Sequence, residues 1–389
     1  MQKEGIAMTT PHRKQARLLL ILFLVLYAAF ILLPVGVWAV YRLGHSPDWA
    51  TSSRETASPS PGESSLPGTT SQNEASALEE EEPLASSPAL SSTTTPGFLE
   101  GREPPLSPTP TEGDVFTLYD TSTGETFDVT AEEFLPAALA CEMDLSAPDE
   151  ALKAQAVALY TFYSYQRSQN TGEGADFACD SANWLVYVPH SAMEERWGES
   201  FSATFEKLQS ITSQVQGQLL TWEGEPICAA FFAISGGDTS SSQEVWGQDF
   251  PYLQQVSSPG DCFASGYLSA VSLTATQLLE AAQAAWPGEV DFSGPEEGWI
   301  REICRGNSGY VTSAQVGGRT CTGEELREAF GLRSACFTLS YSEGVFQFTV
   351  HGWGHGVGMS QAGAAFLANQ GESYEAILAH YYPGAVLEK

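Results

Sequence analysis

The first sustained pattern along the chain is an unbroken apolar run, Leu18 to Tyr41, with no charged residue. As a helix it would extend about 36 Å, enough to cross a bilayer. Lys3, Arg13, Lys14 and Arg17 precede it, and only Arg42 follows closely. The positive-inside rule predicts a cytoplasmic tail over 1–17, a single span over 18–41 and an extracytoplasmic remainder. A cleaved signal peptide is the competing reading, but its apolar core would be shorter, and only a weak small-residue site stands near Ala39. From His45 the periodicity disappears. Residues 42–113 are rich in Ser, Thr, Pro and Glu, with an acidic run at Glu79–Glu82. Such a composition cannot offset the entropy of ordering and predicts a disordered tether of roughly 40–50 Å average reach.

Globular patterning begins at Asp114 and continues to Lys389. Two short strands are predicted within 115–129 around a turn at Asp120–Gly124. Thr130 and Glu133 form a capping box for a helix running toward Cys141. A second helix is predicted from Pro148 to about Tyr165, with alanines at 151, 154, 156 and 158 for close packing. Leu152, Leu159, Tyr163 and the apolar edge of Gln155 share one face of it. Strands are predicted near 219–222, 227–234, 310–316 and 337–350, and a helix over 273–286. Two further helices are predicted over 361–369 and 374–380, the second capped by Ser373 and ended by Pro383-Gly384. Helices and strands alternate without a βαβ rhythm, so the expected class is α+β, as one extracytoplasmic domain.

Charge narrows the function. The chain has 48 acidic and 17 basic residues, a net charge of −31. That excludes a nucleic-acid surface and disfavours docking on anionic headgroups, so any membrane attachment must be hydrophobic. The seven cysteines, 141, 179, 228, 262, 304, 321 and 336, include no CxxC pair, and their spacing assigns no disulfide.

Three segments could carry chemistry. His351-Gly-Trp-Gly-His-Gly-Val-Gly-Met-Ser-Gln361 holds four glycines in eight residues. It is a poor helix or strand, but it allows positive φ and close backbone approach. Trp353 and His355 on such a loop, followed by Ser360 and Gln361, suit a sugar with apolar faces and hydroxyl edges. A tight structural turn is the bland alternative. A metal pair of His351 and His355 lacks the helix and the glutamate of HExxH. Glu142 follows an apolar helix, where desolvation favours the protonated carboxyl of a general acid, although most helix-end glutamates are merely solvated. Ser235-Gly236-Gly237 closes an apolar strand and reads either as a substrate loop or as a plain connection.

Together these segments resemble the sporulation protein D and amidase-enhancer domain family, over about 116–387. The likeness rests on Glu142-Met143, on Glu150-Ala-Leu-Lys-Ala-Gln-Ala-Val-Ala158 and on Ser235-Gly-Gly with Val245-Trp-Gly247. It rests further on Gly354-His-Gly-Val-Gly-Met-Ser-Gln361 and His380-Tyr-Tyr-Pro-Gly384. The resemblance implies a lytic transglycosylase. Such an enzyme cuts the MurNAc–GlcNAc bond of peptide-stripped peptidoglycan strands in cell-wall remodelling during spore engulfment. Glu142 would be its catalytic acid–base. Ser235, Gly236, Gly237, Trp353, His355, Ser360 and Gln361 would line the sugar groove. The partner would be an amidase of the stage II sporulation protein P type. With so few cations, Arg327 and Arg333 are the candidates near the groove. The alternative is a non-catalytic wall-binding enhancer of an N-acetylmuramoyl-L-alanine amidase, and a metal hydrolase is a third reading.

Two departures from the family pattern stand out. Where the family has Ala-Arg-Thr-Tyr, this chain has Leu159-Tyr-Thr-Phe162. Where some members have His-Cys and a nearby zinc, Asn183-Trp184 follows Cys179-Asp180, with His190 out of register. No cofactor and no metal are therefore expected here.

Overall fold

The computed structural model describes residues 114–170 and 174–389. The tail, the 18–41 span and the 42–113 tether lie outside the described residues. Among the described residues no helix is long and apolar enough to cross a membrane.

Strands β1 (Val115–Asp120) and β2 (Glu125–Thr130) pair antiparallel across the expected turn. Thr130 then closes the capping box with Glu133 and starts α1 (Ala131–Glu142). Pro148 precedes α2 (Asp149–Gln169), which starts one residue later and runs four residues further than the pattern suggested. Strand β3 (Phe177–Cys179) joins β1 in parallel. The α3 (His190–Trp197) and α4 (Phe201–Gln214) pair was not legible in the sequence, because α3 is short and largely polar. Strands β4 (Leu219–Trp222) and β5 (Glu225–Pro226) pair together. The predicted 227–234 strand shrinks to β6 (Phe231–Phe232), with an isolated bridge at Ile234.

After the short α5 (Ser242–Trp246), the chain builds a second, smaller core. Strand β7 (Leu268–Thr274) leads through a Thr274–Gln277 capping box into α6 (Ala275–Ala285). The predicted 273–286 helix thus gives up its first two residues to a strand end and a cap. A meander follows, β8 (Ile300–Arg305), β9 (Val311–Val316) and β10 (Arg319–Thr322), then α7 (Gly323–Ala329). The expected 337–350 strand is a hairpin of β11 (Phe337–Ser342) and β12 (Val345–His351), turning at Glu343-Gly344, with β7 on the far side of β12.

The chain then returns to the first core. Strand β13 (Met359–Ser360) lies parallel to β6 and runs directly into α8 (Gln361–Asn369). Helix α9 (Tyr374–Tyr381), capped by Ser373, precedes β14 (Val386–Glu388), which pairs with β4. The architecture is α+β, with several small sheets around two hydrophobic cores.

Helix α2 organises the larger core. Its sequence suggested one apolar face, but residues 154–164 are buried on every side, as expected for a helix enclosed by neighbours. Helices α1, α4, α8 and α9 and strand β4 all pack on it. Alanines 151, 154, 156 and 158 allow that approach, each fully buried. Tyr160 stands where the family carries arginine and donates to Asp114 (2.6 Å), which also pairs with Arg167 at 2.6 Å. Gln155 is fully buried too, and neither Nε2 nor Oε1 has a hydrogen-bond partner among the described residues. Burying an unpaired amide costs more than burying an apolar chain of equal size. Gln155→Met should therefore raise stability by about 1–2 kcal/mol in chemical denaturation. A loss of stability would show that the amide is satisfied.

Candidate active site

Glu142 is the last residue of α1 and is half-buried. Its backbone carbonyl accepts a 3.0 Å hydrogen bond from Gln361 Nε2, the first residue of α8. Two of the sequence's candidates, 219 positions apart, are thereby in contact. Burial and, second, the Glu142 charge hold the Cys141 thiol and the Tyr163 phenol well above their ordinary pKa values. Both are neutral at physiological pH.

Gln361 is placed by the glycine loop. Gly356 (φ +85°) lies against the Tyr310 ring, where a Cβ would come within 2.5 Å of Cε1. Gly358 (φ +80°) lies against the Ala230 carbonyl, where a Cβ would come within 2.0 Å. Any side chain would thus meet both strain and collision. The close approach these glycines allow is to the chain's own 230–236 segment and Tyr310. Trp353 exchanges backbone hydrogen bonds with Ile234 (2.6 and 3.0 Å), and Gly236 N–H donates to the Tyr310 hydroxyl at 3.1 Å. Gly237 takes φ +121°.

Ser235 and Ser360 are fully buried and converge on a residue that the sequence did not single out, Asp261. Ser235 donates to Asp261 Oδ2 through its N–H (2.9 Å) and its hydroxyl, and Ser360 donates to Oδ1 at 2.9 Å. Ser360 Oγ also caps α8 by accepting from Gly363 N–H at 3.2 Å. Burial pushes the Asp261 pKa above its ordinary value, against the hydrogen bonds that favour its anion. Both hydroxyls are thus engaged inside the protein. Asp261 sits in a Pro-Gly-Asp-Cys stretch with no periodicity, and no sequence signal marked it.

His355 is similarly committed. Val357 N–H donates to Nδ1 (3.1 Å), so Nε2 carries the proton and donates to the Phe231 carbonyl at 3.1 Å. The ring lies 5.5 Å from both Phe232 and Trp246, centroid to centroid. Desolvation and the positive charge of Arg327 lower its pKa to about 4. Trp246, itself 41% exposed, is an aromatic surface beside the loop that the sequence reading passed over within its Val-Trp-Gly stretch. Trp353 carries the Arg333 guanidinium over its ring at 4.3 Å. Of the two expected cations, Arg327 pairs with Glu324, Nε to Oε1 at 2.8 Å, whereas Arg333 forms no salt bridge among the described residues.

The segment where the family's zinc would sit does not fit a metal. The Asn183 amide donates to Asp180 (2.8 Å), and Trp184, which offers no ligand atom, stacks with Arg196. His190, exposed, meets the stacked Phe201 and Phe205 rings edge-on. Among the described residues no three His, Cys, Asp or Glu side chains form a metal-binding group.

The His355 geometry has a pH signature. Its folded-state pKa of about 4 lies below the unfolded value of 6.5, so the unfolded chain binds the proton between those limits. The stability it contributes is complete above pH 6.5 and lost as pH falls toward 4. Between pH 7 and 5 the wild type should lose on the order of 2 kcal/mol through this group. His355→Gln should flatten that part of a stability–pH curve, and parallel curves for the two proteins would contradict the assignment.

Comparison with known proteins agrees with the geometry. A family model described as stage II sporulation protein matches residues 119–222. Stage II sporulation protein D of Bacillus amyloliquefaciens is 33% identical over 289 residues, 73% of this chain and 81% of that protein. Its counterpart in Bacillus subtilis strain 168 is 30% identical over 276 residues, 70% of this chain and 78% of that protein. The amidase enhancer of the same strain is 26% identical over 293 residues, covering 63% of this chain and 39% of that longer protein. With the α1 end, the Ser-Gly-Gly loop and the glycine loop joined as they are, the chain belongs to the stage II sporulation protein D and amidase-enhancer family.

Proposed function

We propose that the chain is a lytic transglycosylase acting on the MurNAc–GlcNAc bond of peptidoglycan strands whose stem peptides have been removed. The observation that carries this reading is the Gln361–Glu142 contact, which fixes one carboxyl-bearing residue beside a rigid loop that the exposed Trp246 flanks. One carboxyl group suffices for the chemistry. As acid, Glu142 gives its proton to the glycosidic oxygen as the bond to the muramic acid C1 breaks. As base, it takes the proton from that sugar's own 6-hydroxyl, whose oxygen bonds to C1. The product ends in a 1,6-anhydro ring, no water is consumed, and Glu142 returns to its starting state. A second carboxylate to activate water, as inverting hydrolases use, has no role. Trp246 and Trp353 offer surfaces for sugar faces, and Arg333 a cation for the strand.

The 18–41 segment would anchor this activity at the membrane, with its N-terminus in the cytoplasm and the catalytic part outside, for wall remodelling in sporulation. Similarity to an amidase enhancer favours a second reading, in which the protein binds wall glycan and stimulates an amidase without cutting.

Glu142→Gln separates the two. The variant should fold normally and lose strand cleavage by about a thousandfold or more, while stimulation of an amidase by mere binding would survive it. Cleavage within tenfold of wild type would remove Glu142 from its role.

Stem-peptide removal exposes a lactyl carboxylate on each muramic acid, and the region 114–389 holds 36 acidic residues against 10 basic ones. Long-range electrostatics therefore oppose binding, and recognition must come from local contacts. Purified protein should cut peptide-free strands, act weakly on intact sacculi, and gain activity when an amidase of the stage II sporulation protein P type is added. Equal rates on both substrates would contradict an amidase-first order.

A further inference from the structure

Within the described residues only four cations, Arg196, Arg301, Arg305 and Arg333, form no salt bridge with a carboxylate. Two of the four lie instead on a tryptophan. Arg333 covers Trp353 at 4.3 Å, and Arg196, exposed in the last turn of α3, covers Trp184 at 4.2 Å. An arginine that lies on a tryptophan and pairs with no carboxylate leaves its N–H edge open to an external anion.

The platform under Arg196 is built. Trp184 takes φ +56° and Val186 φ +71°, a left-handed backbone that a β-branched residue strongly resists. The turn is closed by reciprocal bonds between Asp180 and Leu185 (3.1 and 3.0 Å), with Asn183 tied twice to the Asp180 carboxylate (3.1 and 2.8 Å). Trp197 meets the Trp184 ring edge-on at 5.9 Å. This turn adjoins the Glu142 end of α1. Trp184 and Cys141 pack against the same small cluster of Ala137, Val188 and Met193, and the Arg196 charge reaches the Cys141 thiol.

We propose that Arg196, held on Trp184, binds the lactyl carboxylate of a peptide-free muramic acid and so forms an anionic-sugar subsite beside Glu142. This rests on the glycan-cleaving reading and deepens it, because it supplies a local contact that a domain with this charge needs in order to hold a negatively charged strand. A stem peptide joined to the lactyl group turns that carboxylate into an amide and removes the charge Arg196 would meet.

The test is calorimetric titration of the full-length chain carrying Glu142→Gln, so that strands survive the measurement. One probe is peptide-free glycan. The other is a chitin oligomer, which has N-acetylglucosamine throughout and no lactyl group. Adding Arg196→Gln should weaken binding of the peptide-free strand roughly fivefold and leave chitin-oligomer binding and the melting temperature unchanged. Unchanged affinity for the peptide-free strand, or an equal loss for both probes, would overturn the subsite. If the Glu142→Gln parent binds neither probe, the glycan reading itself fails and the subsite falls with it.

Discussion

The fully buried carboxylate of Asp261 is the constraint on which the site depends. It accepts from Ser235 and Ser360, which close the two segments that must meet, and Ser258 bonds to it as well. Ser258 also shares a 2.7 Å bond with the Tyr381 hydroxyl on α9. A carboxylate in that position is costly unless several donors converge on it. The network ties together four stretches of chain, around Ser235, Asp261, Ser360 and Tyr381, so the arrangement exists only when all four are in place. Gly363 shows how closely they meet, since a Cβ there would lie 2.0 Å from Tyr381 Oη and 2.2 Å from Ser258 Oγ. With α8 fixed at its first turn, Gln361 reaches the end of α1. The geometry at Glu142 is therefore set from a buried network, not from the surface.

Several polar side chains of the candidate site turn inward. Ser235, Ser360 and His355 look in sequence like groups that could face a ligand, yet each is bonded to the protein's own interior. What faces outward is aromatic and cationic: Trp246 beside His355, Arg333 on Trp353 and Arg196 on Trp184. Rigid, buried polar contacts supporting a sparse outer set of aromatic and charged groups is the arrangement expected where orientation matters more than the number of contacts.

Much of this was legible in the sequence wherever local chemistry decides. The Thr130 capping box, the Asp120–Gly124 turn and the two C-terminal helices follow from caps, glycines and periodicity that act within a few residues. The α+β class follows from the same signals. Tertiary context hid the rest. Helix α2 reads as one-faced because its alanines are neutral to pattern, while packing encloses it on every side. In the apolar 227–234 run only Phe231–Phe232 keeps a ladder, while Ala230 and Ile234 bond to the glycine loop and Ile227 bonds to Leu220. Asp261 could not be found because its partners lie 26 and 99 residues away. The glycine loop stands out in sequence for positions that take positive φ, but the surface it approaches so closely is its own chain.

The central claim is that one carboxyl group drives an intramolecular ring closure in which the sugar's own hydroxyl replaces water. Cleavage of peptide-free strands in water enriched with oxygen-18, followed by mass spectrometry of the new muramic acid ends, tests it directly. The account predicts 1,6-anhydro ends, lighter than a hydrolysed end by one water and free of label. Reducing ends carrying oxygen-18 would show that water is the nucleophile and would contradict it.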